Sequence, residues 1–200
     1  MKKTLFVLIP SLMLSAAAYA DNFNNAAEID NNTGFYISAN ANFAKTKMPF
    51  DSVDADLQPL ERSGFTPAVA IGYDFGPVRT EINYEDLGTL TSSDPYIKGD
   101  LKVRNVGITT VYNFRPQADI QPYVGGRVMY TQFKADDQLT QSLAAQGIEL
   151  KSNHMGLGVV GGVEYKVIDN LLVGVNANWD LLSGDPANSL GGGLTLRFKF

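Results

Sequence analysis

The stretch GLTLRFKF, residues 193–200, decides the fold of this chain. Its apolar and polar side chains alternate strictly, which is the period of a β-strand with one apolar face and one polar face. The apolar positions are Leu194, Leu196, Phe198 and Phe200, and the polar positions are Thr195, Arg197 and Lys199. The pattern predicts a strand that needs an apolar environment on one face and pairing partners along its edges.

Seven further segments show the same alternation and predict seven more strands. After residue 20 the chain contains no run of 18 apolar residues, so any crossing of a membrane must be made by strands rather than helices. The apolar faces of these segments occupy residues 35–43, 65–75, 78–84, 106–114, 124–130, 155–165 and 171–179.

The connections between the eight segments alternate in length. The tight connections are Gly76-Pro77, 115–119 and 168–170, and the long or polar ones are 44–64, 87–99, 134–153 and 182–189. Short turns on one side and long loops on the other are typical of barrels in outer membranes. Residues 33–200 are therefore predicted to form an all-β, eight-stranded antiparallel up-and-down transmembrane β-barrel. Its last strand must close against the first, because lipid cannot satisfy an open sheet edge.

The placement of aromatic residues distinguishes this barrel from a soluble, lipocalin-like one, which would turn its apolar face inward. Aromatic rings of the apolar face fall near the two strand ends, and aliphatic side chains fill the middle. Two aromatic girdles around an apolar band are what the two membrane interfaces favour. The predicted girdles are Phe43, Phe65, Tyr84, Tyr130 and Trp179 at the loop end, and Phe35, Phe75, Tyr112, Phe114, Tyr165, Phe198 and Phe200 at the turn end.

The opposite face carries small residues and charges of both signs. Glycine and alanine at these positions suit the narrow interior of an eight-stranded barrel, which side chains must fill. The turn at Gly76-Pro77 places Asp74 opposite Arg79 on this face. We expect an interior ion-pair network that specifies register more than it adds stability. Its predicted members are Asp74, Arg79, Glu81, Glu85, Arg127, Glu164, Asp180 and Arg197.

One segment departs from this scheme, because Lys102 and Arg104 fall on the lipid side while Leu101 and Val103 fall inside. Either the membrane part of this strand begins near Asn105, or a bulge resets its phase. A midplane cation facing lipid costs about 2 to 4 kcal/mol, and the cost falls toward zero at the interface. We therefore expect Lys102 and Arg104 to lie above the bilayer.

The N-terminal residues 1–20, MKKTLFVLIPSLMLSAAAYA, have the two lysines, short apolar stretch and Ala-Tyr-Ala ending of an export signal. Residues 21–32 are then a short periplasmic segment before the barrel. The chain has no cysteine, so no disulfide framework is available to stabilise an exported fold. Its net charge of -5 disfavours binding to nucleic acid.

Three stretches carry a family resemblance: PYVGGRVMY at 122–130, GLGVVGGVEYKVIDNLLVGVNANW at 156–179, and the closing strand with its final Phe. They resemble the opacity proteins of Gram-negative outer membranes, which are eight-stranded barrels classed with porins. The even strand count places both termini on the short-turn, periplasmic side, and we expect a monomer in outer-membrane lipid with its loops outside the cell. The resemblance implies that the barrel assembly machinery reads Leu196, Phe198 and Phe200, and that the loops act as adhesins toward host-cell receptors.

Catalytic and metal-binding chemistry is poorly represented in the sequence. His154 is the chain's one histidine, and no spacing of Ser, His and acidic residues supports a triad around it. We expect no enzyme activity, no cofactor and no metal. Two alternatives to surface interaction stay open at this stage, namely a porin for small solutes and a structural barrel that maintains the envelope.

Overall fold

The computed structural model describes residues 33–48, 60–91, 99–145, 153–182 and 187–200. The predicted signal at 1–20 and the segment at 21–32 lie outside these described residues. Eight strands and one helix, α1, make up the described chain. They are β1 Gly34–Met48, β2 Leu60–Asp74, β3 Val78–Thr91, β4 Asp100–Asn113, β5 Ile120–Ala135, α1 Asp137–Ala145, β6 Asn153–Ile168, β7 Leu171–Leu181 and β8 Asn188–Lys199.

The strands form one closed barrel in sequence order, with every neighbouring pair antiparallel. β8 closes the barrel against β1 over the register from Tyr36↔Lys199 to Lys47↔Asn188. The amide of Phe200 adds a hydrogen bond of 3.0 Å to the carbonyl oxygen of Phe35. The predicted eight-stranded up-and-down barrel is confirmed. In the described part of the chain, no helix has the length and hydropathy needed to cross a membrane.

The two faces of the strands are sorted as the alternation predicted. Large apolar side chains such as Val69, Ile71 and Ile82 are exposed on the outside. Charged side chains such as Arg197 and Glu164 are buried inside, each about 1% exposed. A soluble barrel with an apolar interior has the opposite arrangement, so the lipocalin-like alternative is excluded.

The turn at Gly76 shows why a two-residue connection forms there. Gly76 has a φ of +92°, a conformation that favours glycine. Its amide donates a hydrogen bond of 2.9 Å to Asp74 Oδ1, and the Phe75 amide donates one of 2.8 Å to the carbonyl of Val78. The resulting register places Asp74 opposite Arg79, as the sequence predicted.

The strands extend further at the loop end than the predicted connections at 44–64, 87–99, 134–153 and 182–189 allowed. Pairing of β1 with β2 continues to Met48 and Leu60, β3 runs to Thr91, and the region after Ala135 contains α1. The apolar alternation stops earlier because strand pairing needs only backbone groups. Beyond Phe43, the outward pairs Lys45–Glu61 (3.3 Å) and Lys47–Glu61 (2.8 Å) are polar.

The bulge considered for the fourth strand lies instead in β3. The register between β3 and β4 shifts between Asp86 and Gly88, which leaves Leu87 as the additional residue. Gly88 has a φ of +77°, and its amide donates to Asp86 Oδ1 at 2.8 Å. β4 itself keeps an unbroken alternation, so Leu101 and Val103 are fully buried while Lys102 is exposed.

Candidate functional site

Two groups of ion pairs occupy the barrel interior. The turn-end cluster consists of Asp74, Arg79, Glu164, Arg197 and Lys199, and the Arg127 cluster consists of Glu85, Arg127 and Asp180. Both lie on the inner face of the strands, where the alternation places these side chains. They contain seven of the eight residues predicted for the interior network, and they add Lys199.

The turn-end cluster is centred on Arg197 of β8. The Arg197 guanidinium contacts Asp74 Oδ2 at 2.9 Å and Glu164 Oε2 at 2.5 Å. Arg79 Nη2 lies 3.0 Å from Glu164 Oε1, and Lys199 Nζ lies 2.9 Å from Asp74 Oδ2. All four of these ion pairs are shielded from solvent, so the loss of one partner leaves the other as a buried, uncompensated charge.

Asp74 and Arg79 are neighbours in register but do not form an ion pair with each other among the described contacts. Arg79 pairs with Glu164 of β6 and donates to Asn113 Oδ1 at 2.8 Å. Asp74 pairs with the cations of β8. The interior of an eight-stranded barrel is narrow, so long side chains reach partners on other walls as easily as those on the adjacent strand.

Inward-facing glycines make room for the tyrosines that flank these cations. Tyr36 lies across its cross-strand partner Gly72, where a Cβ would meet the tyrosine ring at 2.5 Å. From there its hydroxyl donates to Glu81 Oε2 at 2.9 Å. Tyr123 lies across Gly162 in the same way, and the Arg79 guanidinium sits 4.4 Å from the centre of the Tyr123 ring.

Glu81 is the one predicted network member that the structure leaves outside the ion pairs. Within the described residues it accepts hydrogen bonds from Tyr36 and, at 3.5 Å, from Ser38, but no cation lies within 4.0 Å of it. Its role in the interior is that of an acceptor for hydroxyl groups.

The Arg127 cluster lies nearer the loop end. Arg127 contacts Glu85 Oε2 at 2.8 Å and both oxygens of Asp180, at 2.6 and 2.5 Å. Gly158 stands between Arg127 and Asp180 in the register, and a Cβ there would collide with Asp180 Oδ1. The bidentate pair therefore requires glycine at this position.

Above the Arg127 cluster, an apolar plug fills the loop end of the barrel. Sequence reasoning missed it, although the inward phase of Leu101 and Val103 was a signal of it. Its members are Leu87, Leu90, Leu101, Val103, Met129, Phe133, Leu139, Leu182 and Ala187, all buried.

The helix α1 contributes Leu139 to this plug. Asp136 Oδ1 accepts a hydrogen bond of 2.7 Å from the Leu139 amide, which caps the start of the helix. Gly99, with a φ of +130°, lies against Leu139 at a distance that no Cβ could occupy. This close approach fixes α1 at the mouth of the barrel.

Below the plug, the described part of the interior contains a small polar cavity of about 50 Å³. Its lining includes Tyr36, Asn40, Asn42, Asn176 and Thr195. Such a volume holds roughly four water molecules, since one water needs at least about 10 to 15 Å³.

The predicted girdle residues lie on the outer surface, with Phe75 half-buried and the others exposed. Several form edge-to-face pairs, including Phe43 with Phe65 (5.9 Å between ring centres), Tyr112 with Phe114 (5.4 Å) and Phe198 with Phe200 (5.5 Å). Leu196, Phe198 and Phe200 form an exposed apolar strip along the outward face of β8.

His154 lies on the inner face of β6, at the loop end. Its ring packs edge-on against Phe133, with 5.7 Å between ring centres. Among the described residues, its Nδ1 has no hydrogen-bond partner, and no group of three or more His, Cys, Asp or Glu side chains there could hold a metal.

A closed eight-stranded barrel with an apolar outer surface, aromatic residues toward both ends and an ion-paired interior defines the class of outer-membrane β-barrels. Comparison with known proteins identifies the family within that class. The model of the opacity family porin proteins matches residues 71–200. The chain therefore belongs to the opacity family of outer-membrane proteins, as its sequence motifs implied.

Two relatives come from Haemophilus influenzae. An uncharacterized protein is 31% identical over 140 residues, which are 68% of this chain and 75% of the relative. The protein opa is 29% identical over 121 residues, which are 60% of this chain and 84% of the relative.

Among solved structures, Neisserial surface protein A superposes with a TM-score of 0.61 at 23% identity, over 84% of this chain and 97% of that one. This likeness supports the fold.

Proposed function

We propose that this protein is a surface-interaction barrel, whose long connections act in adhesion to host cells or other surfaces. The observation that carries the proposal is the closed interior: an apolar plug, two ion-paired clusters and a cavity of about 50 Å³ occupy the lumen. A barrel whose described interior is filled in this way presents its connections as its main functional surface.

The distribution of connections supports the same proposal. The strand ends that the four long connections join lie at one end of the barrel, together with α1, and the three tight turns lie at the other. We infer that the loop end faces the exterior and that the turn end, with both termini, faces the periplasm. The kinship with opacity proteins supports host-cell receptors as the partners, because that family is associated with adhesion.

The test replaces residues 137–151 by a short Gly-Ser linker in the full-length protein, expressed in a non-adherent Gram-negative host. We expect adhesion to epithelial cells to fall at least tenfold relative to the intact protein. Heat-modifiable migration on gels must persist, which shows that the barrel has folded. A matched control, Lys102→Gln, changes one exposed barrel residue and should leave adhesion unchanged.

A small-solute porin is the competing function, and the family name favours it. Single-channel recording in planar bilayers separates the two. The plugged interior predicts a closed trace, and stable openings of the intact protein would contradict the proposal. Undiminished adhesion after the loop replacement would contradict it as well.

A further inference from the structure

A row of inward-facing polar side chains lies directly below the plug. Glu85, Asn105, Thr131 and His154 are successive register partners on β3, β4, β5 and β6. Direct cross-strand partners hold their Cβ atoms about 4.5 to 5.5 Å apart. Because the four strands curve around one closed barrel, these side chains converge toward its axis.

Polar atoms along this row are buried without hydrogen-bond partners in the described part of the chain. Asn105 is 1% exposed, and both of its amide atoms, Nδ2 and Oδ1, lack a partner. The same holds for Thr131 Oγ1, on a fully buried residue, for Glu85 Oε1 and for His154 Nδ1. Buried polar groups are nearly always satisfied, so four such neighbours in one row indicate a site for a bound group.

The charge around this row is unbalanced. Arg127 is shared by two buried carboxylates, Glu85 and Asp180, and no second cation lies within 4.0 Å of either among the described residues. The cluster therefore carries one excess negative charge. Glu85 uses Oε2 for Arg127, which leaves Oε1 to face the row.

We propose that the row binds one hard monovalent cation, such as sodium, through Glu85 Oε1, Asn105 Oδ1 and Thr131 Oγ1. Carboxylate, amide and hydroxyl oxygens are the ligands that hard cations prefer, whereas softer metals take thiolates and imidazoles. Calcium fits less well, because it takes six to eight oxygens and usually several carboxylates, and only one carboxylate oxygen is free here. Water molecules complete the coordination and reach Asn105 Nδ2 and His154 Nδ1.

The bound cation neutralises the Arg127 cluster and satisfies the row beneath the plug. Its ligands stand on three consecutive strands, β3, β4 and β5, just below Leu87, Val103 and Phe133 of the plug. The site thus joins the strands at the level where charged packing gives way to apolar packing. Folding of the loop end becomes linked to the cation concentration.

The test is the melting temperature of the full-length barrel in detergent micelles, measured in sodium chloride and in N-methylglucamine chloride at equal ionic strength. We expect a saturable rise of several degrees with sodium. Asn105→Leu, which replaces the amide by an apolar group of similar volume, should abolish that rise. Sodium-23 relaxation should show bound sodium in the wild type and lose it in the variant.

Thr131→Val is the second test variant, because it keeps shape and removes one ligand oxygen; it should weaken the sodium response. Glu81→Gln is the matched control, since Glu81 is an interior carboxylate outside the row, and the response should persist. A higher melting temperature of Asn105→Leu in both salts would overturn the proposal. The proposal would also be overturned if the wild type had the same melting temperature in both salts, which indicates water alone, or if its melting temperature rose and saturated with micromolar calcium.

Discussion

The two halves of the barrel interior are packed by different means. In the turn half, Arg197 and its partners fill the lumen with ion pairs whose members are far apart in sequence, such as Asp74 and Arg197. In the loop half, Leu101, Met129 and their neighbours fill it as the core of a soluble protein would. The outer faces of the two halves differ as well: Val69 and Ile82 are exposed beside the ion pairs, whereas Lys102 and Arg104 are exposed beside the plug. The interior is therefore charged where the outer surface is apolar, and apolar where the outer surface is charged.

The comparison predicts that the largest loss of unfolding free energy follows the removal of a charge from the turn half. In Arg197→Met, Asp74 loses one cation and Glu164 loses its closest one, so the unfolding free energy should fall by about 3 to 5 kcal/mol. Urea titration of the barrel in lipid vesicles, followed by tryptophan fluorescence, measures this. Lys102→Met, at an exposed position, is the control. An effect below 1 kcal/mol would show that the cluster contributes to register alone.

In the loop half, the unfolding free energy should instead fall when a buried side chain loses volume. Leu101→Ala leaves a cavity among fully buried plug residues and should cost about 2 to 4 kcal/mol, in the range of large-to-small core substitutions. Leu101→Met, which conserves volume, should cost less than about 1.5 kcal/mol. The same urea titration compares the two variants. Equal losses would mean that the plug is not packed like a core.

The boundary between the halves can be probed at Gly158. In Gly158→Ala, the new Cβ forces Asp180 away from Arg127, and overpacking of this kind costs about 1 to 3 kcal/mol. Gly126→Ala is the matched control, because a Cβ there meets its nearest atom at an ordinary 3.8 Å. Thermal melting monitored by heat-modifiable migration should separate these variants. Identical melting would contradict the close fit of Gly158.

The smallest effect is expected where the hairpin extends beyond the apolar band. Lys47 and Glu61 form a solvent-exposed pair, and water and salt screen such contacts. Lys47→Ala should leave the urea midpoint unchanged within error. A measurable loss would mean that the β1–β2 extension belongs to the cooperative unit of the barrel.

The sequence predicted those features that depend on local alternation. The inward or outward direction of a side chain follows from its position along the strand, so Val69 and Arg197 were placed correctly. The hairpin register at Gly76 also followed from two residues. The partners of Arg79 did not follow from the sequence. A long side chain in a narrow lumen can reach several strands, and which strand it contacts depends on how all eight strands close.

The apolar plug was not predicted because its residues are apolar on the inner face, where the alternation used to find the strands places polar side chains. Leu101 and Val103 had the inward phase but an apolar character, and Leu90 faces inward only because the bulge at Leu87 shifts the register. The loop lengths were overestimated for a related reason. At Lys45 and Lys47, backbone pairing continues where the apolar alternation has ended.

The position of the cations has a consequence for how the barrel is assembled. Arg197 and Lys199 stand on β8, while the carboxylates they neutralise stand on β2 and β6. Until the last strand arrives, Asp74 lacks both of its counterions. Closure of the barrel and neutralisation of its interior charge therefore occur in the same step. A barrel that still lacks β8 keeps an uncompensated carboxylate in its interior, so such an intermediate is electrostatically unfavourable.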